Sequence, residues 1–172
     1  MPVLTKLKGN DIALYGNQVN VGDKAPIVTL PASDLSEVTI GGASDKVQLI
    51  IAVPSLDTPV CAIETTKFNN EAAAVEGGVV CVVSMDLPFA AKRFCSTEGI
   101  ENLSVLSDFR DKSFSTAYGT LIAEGALRGL SARVVFVVGK DGNISYKEIT
   151  EDITAEPNYE AALAAFKEAA TK

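Results

Sequence analysis

The residues best suited to chemistry lie in Pro54-Ser55-Leu56-Asp57-Thr58-Pro59-Val60-Cys61. Pro59 suits the first position of a helix, because its ring fixes φ at a helical value and its missing N–H is not needed there. Thr58 is then the N-cap, with a hydroxyl free to accept from the first turn. Cys61 falls in that turn, beside unpaired backbone N–H groups and the positive end of the helix dipole. Such a position favours the thiolate, the form of cysteine that attacks electrophiles. Cys61 is the candidate nucleophile of the chain.

Two absences narrow what that sulfur can do. The chain has no histidine, so a Cys–His dyad cannot be built. No other side-chain base is evident, and activation of Cys61 is expected to be electrostatic. The three cysteines, Cys61, Cys81 and Cys95, lack the close spacing and histidine helpers of a zinc site. No metal and no organic cofactor is expected. An odd count in a cytosolic-looking chain fits redox or catalytic use better than a disulfide framework. There is no Cys-x-x-Cys, which argues against an ordinary thioredoxin-type dithiol exchanger.

The elements that must position these residues follow from apolar patterning. Val47–Val53 reads as a buried strand that Pro54 stops. A helix of roughly 60–75 follows, with Val60, Ile63, Lys67 and Phe68 at spacings of three and four, and Gly77-Gly78 ends the pattern. Val79–Ser84 is a second buried strand. Pro88–Thr97 is helical, carries Phe94 and Cys95, and stops at Gly99. Val105-Leu106 is a short strand, and 111–118 is helical with Gly119 as its stop. Arg133 opens a strand over 134–138, and Asp141-Gly142 turns it back into 144–149. Tyr159–Ala170 sets Ala162, Leu163, Phe166 and Ala169 along one helical face. At the N-terminus, 3–7 and 11–15 flank Lys8-Gly9-Asn10 as a β-hairpin. Val21–Pro26 is a turn entering an extended piece at 27–30, and Gly41–Ser44 is a loop.

Alternating strands and helices in 172 residues predict one α/β domain spanning 1–172, with a mixed central sheet and helices on both faces. The proportions, 47% hydrophobic and 22% charged, are those of a soluble globular protein. A net charge of −7 with no basic stripe opposes nucleic-acid binding. No apolar run approaches the roughly 20 residues that cross a bilayer, so no membrane partner is expected. The first residues lack the apolar core of a secretory signal, which makes a cytoplasmic location the default.

At Pro54-x-x-x-Thr58-x-x-Cys61 the chain resembles the peroxiredoxins, whose active-site signature has this form. Val21–Pro26 resembles that family's entry segment. Phe89-Ala90-Ala91-Lys92-Arg93-Phe94-Cys95, Leu106-Ser107-Asp108-Phe109-Arg110 and the N-terminal hairpin resemble its bacterial thiol peroxidase branch. The resemblance implies a thioredoxin-like fold and reduction of hydrogen peroxide and organic hydroperoxides, with thioredoxin as reductant. It matches Cys61 to the peroxidatic cysteine and Cys95 to a resolving cysteine in the same chain. Thr58 matches the hydroxyl residue of the pocket, Pro54 the proline that shields it, and Arg133 the active-site arginine. It also implies a homodimer, to which part of 109–122 could contribute a face.

One position departs from the branch, which often carries Gln-Thr-Arg where this chain has Glu64-Thr65-Thr66. Glu64 follows Cys61 by three residues, and its charge is expected to oppose the thiolate slightly. Cys81, between valines in a strand, reads as inert core. Because Cys61 and Cys95 both lie in helical patterns, joining them as a disulfide calls for partial unwinding of one or both helices. Two other functions could use the same residues: thiol–disulfide exchange without peroxidase activity, and redox-sensing binding without turnover.

Overall fold

The computed structural model describes residues 2–72 and 74–172. Its centre is a five-stranded sheet in the order β10 (Ile144–Ile149), β9 (Val134–Val138), β5 (Val47–Ala52), β6 (Gly78–Ser84), β7 (Ser104–Ser107). β5, β6 and β7 run parallel, while β9 lies antiparallel to β5 and β10 antiparallel to β9. The sheet is mixed, as expected. Every residue of β5 and β9 is buried, because both faces of these strands are covered and their β-branched side chains serve two cores at once.

Alternation along the strands separates those cores. Leu49, Ile51, Val82, Val135 and Val137 face α1 (Pro59–Glu71), α2 (Pro88–Glu98) and α4 (Tyr159–Ala170) through Phe68, Phe94 and Phe166. Ile50, Ala52, Val83, Val134 and Phe136 face α3 (Ser113–Tyr118) and the N-terminal elements, with Phe114, Tyr118 and Leu14 between them. Helices therefore cover both faces. Gly78 opens β6 because any Cβ there would meet the Phe166 ring at 2.3 Å.

The N-terminal hairpin forms as β1 (Val3–Leu7) and β2 (Asn10–Tyr15), with Lys8 and Gly9 at positive φ in the turn. β2 also pairs with β8 (Leu121–Ile122). The extended piece near 27–30 is β3 (Val28–Pro31), and it pairs with β4 (Glu37–Ile40), a strand the sequence did not reveal. Among the described residues no helix is long and apolar enough to cross a membrane.

Three helical expectations change. α1 ends at Glu71 with Ala72 as its C-cap, short of 75, and position 73 of the expected span lies outside the described residues. α1 also turns a different face inward. It buries Cys61, Glu64, Thr65, Phe68 and Asn69, while Ile63 is 56% exposed. α3 starts at Ser113, not 111, because the Asp108 carboxylate accepts from the N–H groups of Phe114 and Ser115 at 3.0 and 2.9 Å. Within 109–122, Phe114, Tyr118 and Ile122 are core, while Leu121 is part-buried and Phe109 is exposed.

Candidate active site

β5 delivers the chain to the site. Val53 continues the pairing with β6 through its N–H to the Val83 carbonyl at 3.0 Å, and buried Pro54 then ends the extended run. The turn that follows is tied down from β6. The Asp86 carboxylate accepts from the Leu56 N–H at 2.7 Å, the Ser55 hydroxyl at 2.9 Å and the Ser84 hydroxyl at 2.8 Å. Asp86 was not among the residues expected to matter. Its place just past the C-terminal end of a parallel strand, where α/β sheets carry their functional loops, was the available signal.

Thr58 is the N-cap with φ −79° and ψ 147°, and Pro59 takes the first helical turn. The Thr58 Oγ1 accepts from the Cys61 N–H at 3.3 Å and donates to the Ser55 carbonyl at 3.1 Å. Cys61 is thereby fixed in the first turn, fully buried. The burial is polar on one side: Arg133 Nη1 donates to Cys61 Sγ at 2.9 Å. Arg133 precedes β9, is only 2% exposed, and is oriented by its Nε donating to the Ile153 carbonyl at 2.8 Å.

The same Nη1 donates to Glu64 Oε2 at 2.8 Å. Glu64 is fully buried, and its Oε1 has no hydrogen-bond partner. Burial raises the Glu64 pKa to about 7, against the attraction of Arg133 and with support from Glu148 and Glu156. Burial alone would lower the Arg133 pKa, but Glu64 and Cys61 outweigh it and hold the guanidinium above its ordinary value. The expectation of Glu64 as a mild opposing charge near Cys61 therefore understates its position: it shares the arginine with the sulfur.

The other two cysteines differ. Cys95 lies half-buried on α2, with its thiol pKa raised by burial. Cys95 packs at the edge of the core that contains Cys61, and all three cysteines are unbridged. Cys81 is buried in β6, its pKa pushed up to about 12 by burial, and its thiol points to the Leu49 carbonyl at 3.8 Å. The structure thus brings Cys61, Arg133, Thr58 and Pro54 to one end of β5 and leaves Cys81 apart within the sheet. No group of three or more histidine, cysteine or acidic side chains suited to a metal occurs among the described residues.

A sulfur at a helix N-terminus, held by a guanidinium on a thioredoxin-like sheet, defines a class of thiol-dependent redox proteins. Residues 20–163 match the redoxin family, and the chain belongs to that family. Within it the chain is a peroxiredoxin of the bacterial thiol peroxidase branch. It is 57% identical to the thiol peroxidase of Campylobacter jejuni over 90% of this chain and 87% of that one. It is 52% identical to the thiol peroxidase of Aquifex aeolicus over 94% and 95%. A crystal structure of a peroxiredoxin-like protein from Aquifex aeolicus superposes with a TM-score of 0.94 at 50% identity, covering 98% of each chain. A thiol peroxidase from Chromobacterium violaceum, only 18% identical, shares the fold with a TM-score of 0.87 over 98% of this chain and 97% of that one.

Proposed function

We propose that this peroxiredoxin reduces hydrogen peroxide and organic hydroperoxides through Cys61, with Cys95 as the resolving cysteine and thioredoxin as the reductant. The observation that carries the reading is the 2.9 Å contact between Arg133 Nη1 and Cys61 Sγ. A cation on the attacking atom stabilises the thiolate and the charge that develops as the peroxide bond breaks. The helix N-terminus at Thr58 adds partial positive charge at the same place, and Pro54 closes the turn beside it.

In the first step the Cys61 thiolate attacks one peroxide oxygen. The S–O bond forms, the O–O bond breaks, and the departing oxygen takes a proton to leave as water or an alcohol. Cys61 is oxidised by two electrons to a sulfenic acid. The Cys95 thiolate then attacks that sulfur: the S–S bond forms, the S–O bond breaks, and the departing hydroxide takes a proton to leave as water. Two thiols of thioredoxin return both cysteines to the reduced state by exchange. In this reading the protein works in the cytoplasm, where thioredoxin is kept reduced, and as a homodimer. Leu87, Phe89 and Phe109 support a protein-facing surface. They are 50%, 69% and 38% exposed, and they follow the C-terminal ends of the adjacent strands β6 and β7.

The test is a steady-state assay with thioredoxin, its reductase and several hydroperoxides. Sustained peroxide consumption that is lost in C61S and uncoupled from thioredoxin in C95S is the expected result. Exchange with disulfides without peroxide consumption would replace the proposal with a thiol–disulfide oxidoreductase.

A further inference from the structure

The guanidinium of Arg133 serves two acids. Its Nη1 donates to Cys61 Sγ at 2.9 Å and to Glu64 Oε2 at 2.8 Å, so a thiol and a carboxyl flank a single nitrogen carrying one positive charge. Two negative charges in so small a buried space oppose each other, and groups in this relation lose their protons as a pair. Glu64 Oε1 is buried with no partner. A full carboxylate would leave a charge-bearing oxygen without a donor, which costs more than leaving a neutral carboxyl oxygen there.

The other elements around Glu64 add negative charge. Glu148 on β10 and Glu156 before α4 both disfavour its ionisation. Tyr159 on α4, whose hydroxyl donates to Glu156 at 2.8 Å, is itself held protonated by burial, by Glu156 and by Glu64. Lys67, on the same helix as Glu64, sits over the Tyr159 ring at 4.7 Å. The counter-charge in hydrogen-bond contact with Glu64 is Arg133.

We propose that Glu64 is the resident acceptor of the Cys61 proton, so that the reactive thiolate coexists with a neutral Glu64 carboxyl on Arg133. The exchange is balanced: the S–H bond of Cys61 breaks, an O–H bond forms on Glu64, and the charge of the pair stays at one negative. No co-reactant enters. The chain thereby has a proton acceptor at its nucleophile although it lacks histidine. The inference rests on Cys61 being the peroxide-attacking sulfur, as proposed above.

The test uses the full chain carrying C81S and C95S, so that Cys61 is the one thiol reporting. Thiolate ultraviolet absorbance and the infrared stretch of protonated carboxyls are followed across pH with and without E64Q. With Glu64 present, thiolate absorbance should rise in two waves, and a protonated carboxyl band absent from E64Q should persist through the first. E64Q should show one wave.

Glutamine keeps an oxygen for Nη1, so a Glu64 that merely positions Arg133 would leave the shape of the profile unchanged. E64D keeps the acid and should keep both waves, which covers a folding failure of E64Q. One wave in both proteins, or a fully ionised Glu64 wherever thiolate is present, overturns the inference. Two waves and the carboxyl band without peroxide consumption would instead reject Cys61 as a peroxidatic cysteine and leave the shared proton standing.

Discussion

Arg133 and Cys61 lie 72 residues apart in the chain, yet Nη1 of one stands 2.9 Å from Sγ of the other. The contact depends on two adjacent antiparallel strands. β9 pairs with β5 so that Ala52 lies opposite Val134, which sets Arg133 at the end of the sheet where β5 releases the chain into α1. A buried cation is thus supplied by one strand to a nucleophile carried by the helix after its neighbour.

The first prediction concerns that cation. Arg133→Lys keeps the charge but cannot reach Cys61, Glu64 and the Ile153 carbonyl together, since it lacks the planar fork. The rate constant for peroxide reduction should fall by roughly two to three orders of magnitude, measured by stopped-flow mixing. Arg133→Met should in addition destabilise the fold by about 3–5 kcal/mol at pH 8, because Glu64 is left buried without its partner. That cost should shrink at pH 5, where the carboxyl takes up a proton. Equal destabilisation at both pH values would show that the pair does not govern this part of the fold.

How legible was this arrangement? The proline at the first helical turn, the threonine cap and the buried strands on either side follow from local physics, and the structure has them where patterning put them. The inward face of α1 was harder to see. Cys61, Glu64, Thr65 and Phe68 stand at i, i+3, i+4 and i+7, the spacing of a buried stripe, but two of the four are polar. Val60 and Ile63 looked the better core residues by hydrophobicity alone. What reverses this is Arg133, a partner so distant that no window of sequence contains both. Asp86 and β4 escaped for the same reason, since each is defined by what it pairs with.

Asp86 supplies the second prediction. Asp86→Ala removes the acceptor of the Leu56 N–H and of the Ser55 and Ser84 hydroxyls. The turn ahead of Thr58 then loses its anchor, an effect that reaches the sulfur through the backbone of Leu56 and the side chain of Ser55. Loss of about 1–3 kcal/mol in urea unfolding is expected, with at least a tenfold drop in the peroxide rate from misplacement of the nucleophile. Asp86→Asn retains one carbonyl oxygen and should fall between the two. A rate unchanged in Asp86→Ala would mean that the turn holds its shape without this anchor.

Cys81 gives a prediction of the opposite kind. Its thiol lies within β6, opposite Ile50 of β5 in the sheet register, and points at the Leu49 carbonyl. Burial holds its pKa at about 12, so it is a poor source of thiolate. Cys81→Ala should preserve thioredoxin-linked turnover within twofold while costing about 1 kcal/mol of stability from the lost packing. Loss of turnover in a folded Cys81→Ala protein would reassign the redox pair.

The disulfide step makes the fourth prediction. Cys61 is fully buried on α1, while Cys95 lies on α2, a separate helix. Both helix starts are weakly held: the Thr58 cap bond is 3.3 Å long, and Leu87 supplies no side-chain cap to α2. If Cys95 resolves Cys61, bonding the two sulfurs should unwind the first turn of α1, part of α2, or both. Amide exchange over 58–68 and 89–97 should then be faster in the disulfide form than in the reduced form. Equal protection in both forms would show that the helices meet without opening.

The last prediction follows from Glu64 and concerns stability. Its carboxyl has a pKa of about 7 in the folded protein, against 4.5 as the ordinary value, because burial outweighs Arg133. The folded state therefore holds a proton that the unfolded chain has already released anywhere between those two values. Stability rises with pH only where the unfolded state binds more protons, and here the folded state does. The contribution is fully present below pH 4.5, declines as pH rises towards about 7, and is absent above that. The decline amounts to about 3 kcal/mol, the free energy of a shift of this size. Glu64→Gln has nothing to titrate, so the parent protein should lose stability relative to this variant between pH 4.5 and 7, then run parallel to it. Urea unfolding at half-unit steps of pH measures the difference directly. Parallel curves across the whole interval would mean that Glu64 is as acidic in the folded chain as in the unfolded one.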